Sequence, residues 1–215
     1  MSKQIALTFD DGPNRTTTVE VLNILKKYNV VASFFLIADL ITPESVESVK
    51  EEVKMGCEIA NHTKSHQDMT KMDPDTIKEE IDYCSKKIYE ITGEYPKFFR
   101  PPFILVNETM VENIDLPFIC GINGLDWDPT VMADERARLV LETAEDGSII
   151  LLHDLEGNVE TVKALDVIIP KLLEEGYEFV TISDVFKNKG ITPRAHSGIV
   201  YSNALQTKRY DEDNK

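Results

Sequence analysis

Ile5-Ala6-Leu7-Thr8-Phe9-Asp10-Asp11-Gly12-Pro13 is an apolar, strand-forming run that delivers two adjacent carboxylates into a Gly-Pro turn. Asp-Gly-Pro is ordinary turn chemistry. Two like charges side by side raise each other's pKa, however, so both stay ionised only if something positive stands close by. The fold decides whether the rest of the chain supplies it.

Outward from this strand, short apolar runs alternate with amphipathic segments. The strand candidates are 5–9, 31–37, 57–60, 97–100, 118–122, 148–153 and 178–182. Helical spacing marks 17–28, 43–55, 74–92, 107–114, 134–145 and 159–175; Val21, Leu22, Leu25 and Tyr28 share one face of the first. Thr42-Pro43 and Asp73-Pro74 read as caps with proline at the first helical position. Gly56, Gly93, Gly147 and Gly176 stand where helices end. About seven βα units predict an α/β fold with a parallel sheet, closed into a distorted or incomplete (β/α) barrel. An open doubly wound sheet is the second choice. Residues 1–187 read as one domain. Residues 188–215 read as a polar C-terminal extension, partly disordered, with the last residues the least ordered.

The 215 residues carry a formal charge of −15, with 42% hydrophobic and 28% charged residues. That acid excess disfavours nucleic acid and anionic membranes as partners. No run of about 18 apolar residues predicts a membrane span. Three scattered cysteines, Cys57, Cys84 and Cys120, form neither a disulfide framework nor a metal pair. The opening MSKQIALTFDDGP lacks a signal peptide's apolar core, so the sequence as given reads as cytoplasmic, and as secreted if a leader was trimmed. Oligomeric state leaves no trace in the sequence.

In a parallel barrel, chemistry sits where strands end. Asp10 and Asp11 end the first strand, Asn61, His62 and His66 follow the third, and Arg100 ends the fourth. Asp126 and Trp127 follow the fifth, and His153 and Asp154 end the sixth. His62 and His66 lie four apart and would share one side if the backbone made a helical turn. Alone, the pair is as compatible with solvated histidines as with a metal. Two histidines and a carboxylate form a catalytic zinc set with a position left for water. Asp11 is the natural carboxylate ligand, and a cation there answers the charge problem. Asp10 then serves as general base, with Arg100 as its permanent positive partner. His153 suits the missing general acid. Asp126 is placed to orient it, and Trp127 to wall the pocket.

TFDDGP, NHTKSH, RPPF, LDW and IILLHD, in this order, resemble the five motifs of the NodB-type polysaccharide deacetylases, carbohydrate esterase family 4. The resemblance runs from Ile5 to about Asp154. It implies a divalent metal on Asp11, His62 and His66, zinc first, with cobalt or nickel as alternatives. It implies Asp10 as base tethered by Arg100, and His153 as acid held by Asp126. Pro102, Phe103, Trp127 and Leu151 would meet the substrate, with the Phe103 amide as an oxyanion donor. The chain departs from the family pattern at Ile104, where glycine is usual, at Asn123, where aspartate is common, and at Cys57 and Ala60 around the second motif. These changes bear on substrate fit and leave the ligands, base and acid intact.

The expected activity is metal-dependent removal of acetyl groups from a carbohydrate. N-acetylglucosamine units of chitin oligomers or peptidoglycan come first, on family frequency. Acetylxylan is the alternative substrate, and a catalytically idle carbohydrate-binding domain the alternative class. A haloacid-type phosphatase fits worse, since it needs an aspartate two residues from the nucleophile.

Overall fold

In a computed structural model describing residues 2–212, parallel strands form a barrel with helices outside it. The strands are β1 (Lys3–Gly12), β2 (Ser33–Leu36), β3 (Glu58–Asn61), β4 (Phe118–Ile119), β5 (Ile122–Asn123), β6 (Ile149–His153), β7 (Tyr177–Phe179) and β8 (Val200–Tyr201). The helices are α1 (Thr17–Tyr28), α2 (Val46–Lys54), α3 (Pro74–Thr92), α4 (Glu108–Asn113), α5 (Ala133–Thr143), α6 (Val159–Glu174) and α7 (Ile182–Asn188). The main sheet runs β3-β2-β1-β6-β5, with β7 on the first residues of β1. Single bridges from Asn61 to Phe99 and from Phe99 to Phe118 carry the wall on to β4.

Alternation along β1 sets the layers. Ile5, Leu7 and Phe9 pack outward with α1 and α6, while Ala6 faces the barrel interior. Asp10 shares the parity of Ala6, and a strand's period of two sends both inward. Asp11 should point the other way. Its φ of 69° and a register shift between Asp10 and Gly12 turn it back, so both carboxylates reach one rim. β6 repeats the pattern: Ile150 and Leu152 join the outer core, and Ile149, Leu151 and His153 lie on the inner parity. The opposite end of the barrel is plugged by Ile182, Val185 and Phe186 of α7.

Several expected elements differ. Residues 97–100 form bridges rather than a strand, and 118–122 divides at Cys120-Gly121 because its halves have different partners. Gly121 passes so close to β6 that a Cβ there would stand 2.7 Å from Leu151 Cβ. α2 starts at Val46, since residues 42–45 make a separate turn closed by Val46 N–H to Thr42 O. Asp73 does cap α3, accepting from Thr76 N–H. The seventh strand stops at Phe179, and Thr181 caps α7, a helix the sequence reading did not separate.

The polar C-terminal stretch contributes wall. β8 pairs in parallel with β4, Cys120 N–H donates to Tyr201 O, and Ile149 N–H donates to Ser202 O. It thus bridges β4 and β6, with Val200, Tyr201 and Ala204 buried. Of the last residues, which the sequence marks as the least ordered, 213–215 lie outside the described residues. Among the described residues no helix is long and apolar enough to cross a membrane. Deleting residues 198–215 removes three buried side chains and uncovers the β4 and β6 edges. Thermal denaturation should show a Tm lower by roughly 10 °C or more, at about 2–4 °C per kcal/mol for this size; an unchanged Tm would show that the wall closes without β8.

Candidate active site

The predicted residues converge at the C-terminal end of the strands, around a cavity of about 500 Å³. Asp10, Asp11, His62, His66, Phe103, Trp127, Leu151 and His153 line it, with Pro101, Ile104 and Asn123. Pro102 is buried and starts the turn that lifts Phe103 into the opening. Phe103 and Trp127 are among the most exposed apolar residues, at 62% and 64%.

Arg100 is fully buried. One Nη donates to Asp10 Oδ1 at 2.5 Å and the other to Cys120 O at 2.5 Å. Its guanidinium lies 4.0 Å from the centre of the Phe35 ring. Its carbonyl accepts from His62 Nδ1–H at 2.7 Å, which leaves the lone pair of His62 at Nε2. That nitrogen stands 3.4 Å from Asp11 Oδ1 and 3.8 Å from Asp10 Oδ2, and His66 Nε2 stands 3.3 Å from the same Asp11 oxygen. The histidines do not reach these positions through a helical turn. Thr63 at φ 72° and His66 at φ 56° fold the segment into a loop, so the expected convergence holds and its expected backbone does not.

Asp11 Oδ1 is buried and has no hydrogen-bond partner. Burial works against its charge, but the facing imidazole of His62 first, then His153 and His66, bring its carboxyl down to about 2. Burial and the neighbouring His62 push His66 down, towards the neutral form that ligates metal. An orphaned carboxylate oxygen faced by two imidazole nitrogens, all within 4.8 Å, fits a divalent cation.

Across the cavity, His153 Nδ1–H donates to Asp126 Oδ1 at 2.7 Å, and its backbone N–H donates to Oδ2 at 2.7 Å. Burial opposes a charge on this ring. The bond and charge of Asp126, with Asp10 and Asp11 behind it, outweigh burial and raise it to about 9. A cation at Asp11 acts the other way.

The sequence reading missed what fixes Asp126. Thr161 Oγ1–H donates to Asp126 Oδ2, and the buried Arg136 donates to Thr161 Oγ1, Asn158 Oδ1 and Val131 O. Arg136 falls beside Ala137 and Val140 on the buried face of α5. A permanent charge on an apolar face was the available signal.

Asp154 lies beneath the β1 turn. It accepts from Thr18 Oγ1–H, its N–H donates to Asp10 O, and a Cβ at Gly12 would come 2.6 Å from its Oδ2. Burial raises its carboxyl to about 7 against the Thr18 bond, with Asp11 and Asp10 adding to the rise. Glu52 of α2 is fully buried and both its oxygens lack partners. Burial first, then Asp154, hold it well above the usual carboxylate range.

The polysaccharide deacetylase family model matches residues 1–116. The chain belongs to this family. A bifunctional xylanase/deacetylase of Pseudobutyrivibrio xylanivorans is 51% identical over 191 residues, which is 89% of this chain and 32% of that protein. The peptidoglycan-N-acetylglucosamine deacetylase PgdA of Listeria monocytogenes is 36% identical over 189 residues, 87% of this chain and 40% of that one. The chain therefore spans 32% and 40% of these two relatives. Among solved structures, the Xyl-CE4 domain of a multidomain xylanase from the hindgut metagenome of Trinervitermes trinervoides superposes with TM-score 0.93 at 45% identity, over 96% of this chain and 100% of that one. A family 4 acetyl xylan esterase of Clostridium thermocellum, in complex with a cobalt ion, gives 0.92 at 39%, over 95% and 100%. As a polysaccharide deacetylase fold, the chain has the distorted (β/α) barrel that its motifs implied.

Two measurements test the site's physics. Ile104 is β-branched at φ 55°, beside Phe103 at φ 58°. A glycine relieves such strain, so Ile104→Gly should raise stability to chemical denaturation by about 1 kcal/mol; a loss would show that its packing outweighs the strain. For Glu52, the raised folded pKa means the unfolded state gives up its proton first as pH rises, so its contribution falls from the unfolded value upward. Glu52→Gln should therefore match the parent near pH 4 and exceed it by a margin that widens towards pH 8. An equal margin at every pH would refute a neutral buried carboxyl.

Proposed function

We propose that this chain hydrolyses acetyl groups from a neutral polysaccharide, with acetyl esters of xylan as its preferred target. The observation that carries the chemistry is the pair of differently tethered proton-transfer groups: Asp10 on Arg100, and His153 on Asp126, either side of Asp11, His62 and His66. A binding domain has no use for that division.

Asp11, His62 and His66 would hold a divalent cation, zinc by the preference of this donor set, with cobalt and nickel also compatible. Bound there, the cation supplies Lewis-acid polarisation of the acetyl carbonyl and of the attacking water. Asp10 takes the water's proton on Oδ2, since Oδ1 is occupied by Arg100. His153, its Nδ1–H committed to Asp126, gives a proton from Nε2 to the departing oxygen. The Phe103 amide, in the Pro102–Ile104 turn, would serve as the oxyanion donor. Trp127, Leu151 and Ile104 give the acetyl methyl an apolar surround.

Xylan is favoured on two grounds. No lysine or arginine is among the described residues that line the cavity, and the chain's charge is −15, which disfavours anionic glycans. The relatives at 51% and 45% identity are named for xylanases. N-acetyl substrates are the second reading, since a strongly held His153 acid suits an amine leaving group and relatives such as PgdA are named for them.

Acetate release from acetylxylan, chitin oligosaccharides and peptidoglycan, with zinc or cobalt added, separates these readings. The expected order puts acetylxylan first; faster release from chitin oligosaccharides would favour the N-acetyl reading. Asp10→Asn and His153→Ala should each lower kcat by roughly 10²–10⁴-fold. Near-parent kcat in either would sink its assigned role.

A further inference from the structure

The two histidines of the proposed cation site are fixed in different ways. His62 is oriented through its own ring, by the Nδ1–H bond to Arg100 O. Such a bond to the far nitrogen is the usual support of a metal-ligating histidine. For His66, no hydrogen bond to the far ring nitrogen occurs among the described residues. Its ring has edge contacts, with centroids 4.8 Å from those of His62 and Phe103. The direction of its Nε2 therefore depends on the backbone that carries it.

That backbone is costly to hold. Thr63 is β-branched at φ 72°, and His66 follows at φ 56°. Left-handed conformations at such residues persist only where surrounding structure over-determines them. Two local bonds help: Thr63 N–H donates to Asn61 Oδ1, and His66 N–H donates to Thr63 Oγ1, each at 2.8 Å. Ala38 N–H and Asp39 N–H, after β2, donate to Thr63 O and Lys64 O, and the side-chain tie next to His66 comes from Glu80 on α3. Its Oε2 accepts Ser65 N–H and its Oε1 accepts Ser65 Oγ–H, each at 2.9 Å. Both carboxylate oxygens thus close on one residue, immediately before His66. Glu80 lies on the buried face of α3 with Ile77, Ile81 and Cys84, so the helix holds the clamp still. Ile81 O and Ser85 Oγ, on the same helix, accept from Asn61 Nδ2, which anchors the other end of the loop.

We propose that Glu80 is a positioning residue for the cation site: its two-point hold on Ser65 keeps the His62–His66 loop in the shape that aims His66 Nε2 at Asp11. This rests on the reading of Asp11, His62 and His66 as a cation site. It adds a residue from outside the five motifs, acting through backbone geometry.

The test is cobalt(II) binding to the apo protein, read by calorimetry and by the visible absorption of the bound ion, alongside the Tm of each apo variant. Glu80→Ala should weaken cobalt affinity by about 10–100-fold and alter the absorption bands. Glu80→Gln keeps one acceptor while removing the charge, so it should lose markedly less than Glu80→Ala. Ser65→Ala keeps the backbone half of the clamp and should fall between Glu80→Ala and the parent. Glu79→Gln is the control, because Glu79 reaches the same loop only through a surface pair with Lys64 and should bind as the parent does. If Glu80→Ala does not fold, Ser65→Ala and Glu80→Gln still decide: parent-like affinity and spectrum in both overturns the proposal. Equal loss in Glu80→Gln and Glu80→Ala also overturns it, since charge rather than the clamp would then be the cause. A parent protein that fails to bind cobalt refutes the cation site itself, a result distinct from either.

Discussion

The site depends on one buried charge. Arg100 has no exposed surface, yet it touches each part that must be in register: Asp10 from β1, the Phe35 ring from β2, Cys120 O after β4, and His62 through its own carbonyl. Removing one partner of such a pair strands the other, typically at a cost of about 3–5 kcal/mol. The arrangement therefore links folding to function. A barrel that has closed with Arg100 in place has also paired its proposed base with a fixed charge and set the tautomer of a proposed ligand. The two jobs cannot be separated by mutation at this residue.

A second buried arginine does the same on the other side. Arg136 contacts neither the cavity nor His153, but it holds Thr161 and Asn158, which in turn hold Asp126. The two proposed proton-transfer groups thus rest on separate hydrogen-bond networks rooted in different elements, one on the barrel wall and one on α5 and α6. Separation matters chemically. A base must lose affinity for its proton in the direction that an acid gains it, and a shared network would move both together.

Much of this was legible in the sequence, because strand ends are recognisable and chemistry collects there. The βα alternation gave the barrel, and the polar residues at strand ends gave the rim. What escaped was whatever depended on a partner distant in the chain. Two residues such as Val200-Tyr201 have no period to detect, and they are a strand only because β4 offers an unpaired edge. The 118–122 run is uniformly apolar, so nothing in it marks the point where its partner changes from β8 to β6. Asp11 was assigned correctly to the rim, but strict alternation would have turned it away; the left-handed backbone that brings it back is invisible in Asp-Asp-Gly-Pro. Glu80 looks like an ordinary helix surface residue until the helix is docked, and Arg136 stood out only as a charge on an apolar face.

The position of β8 has a consequence for how the molecule comes into being. Every strand from β1 to β7 precedes in the chain the residues that bridge β4 and β6. Until that segment docks, the wall stays unsealed, with two strand edges available to neighbouring chains. The seal of the wall thus belongs to the segment whose sequence looks least like structure.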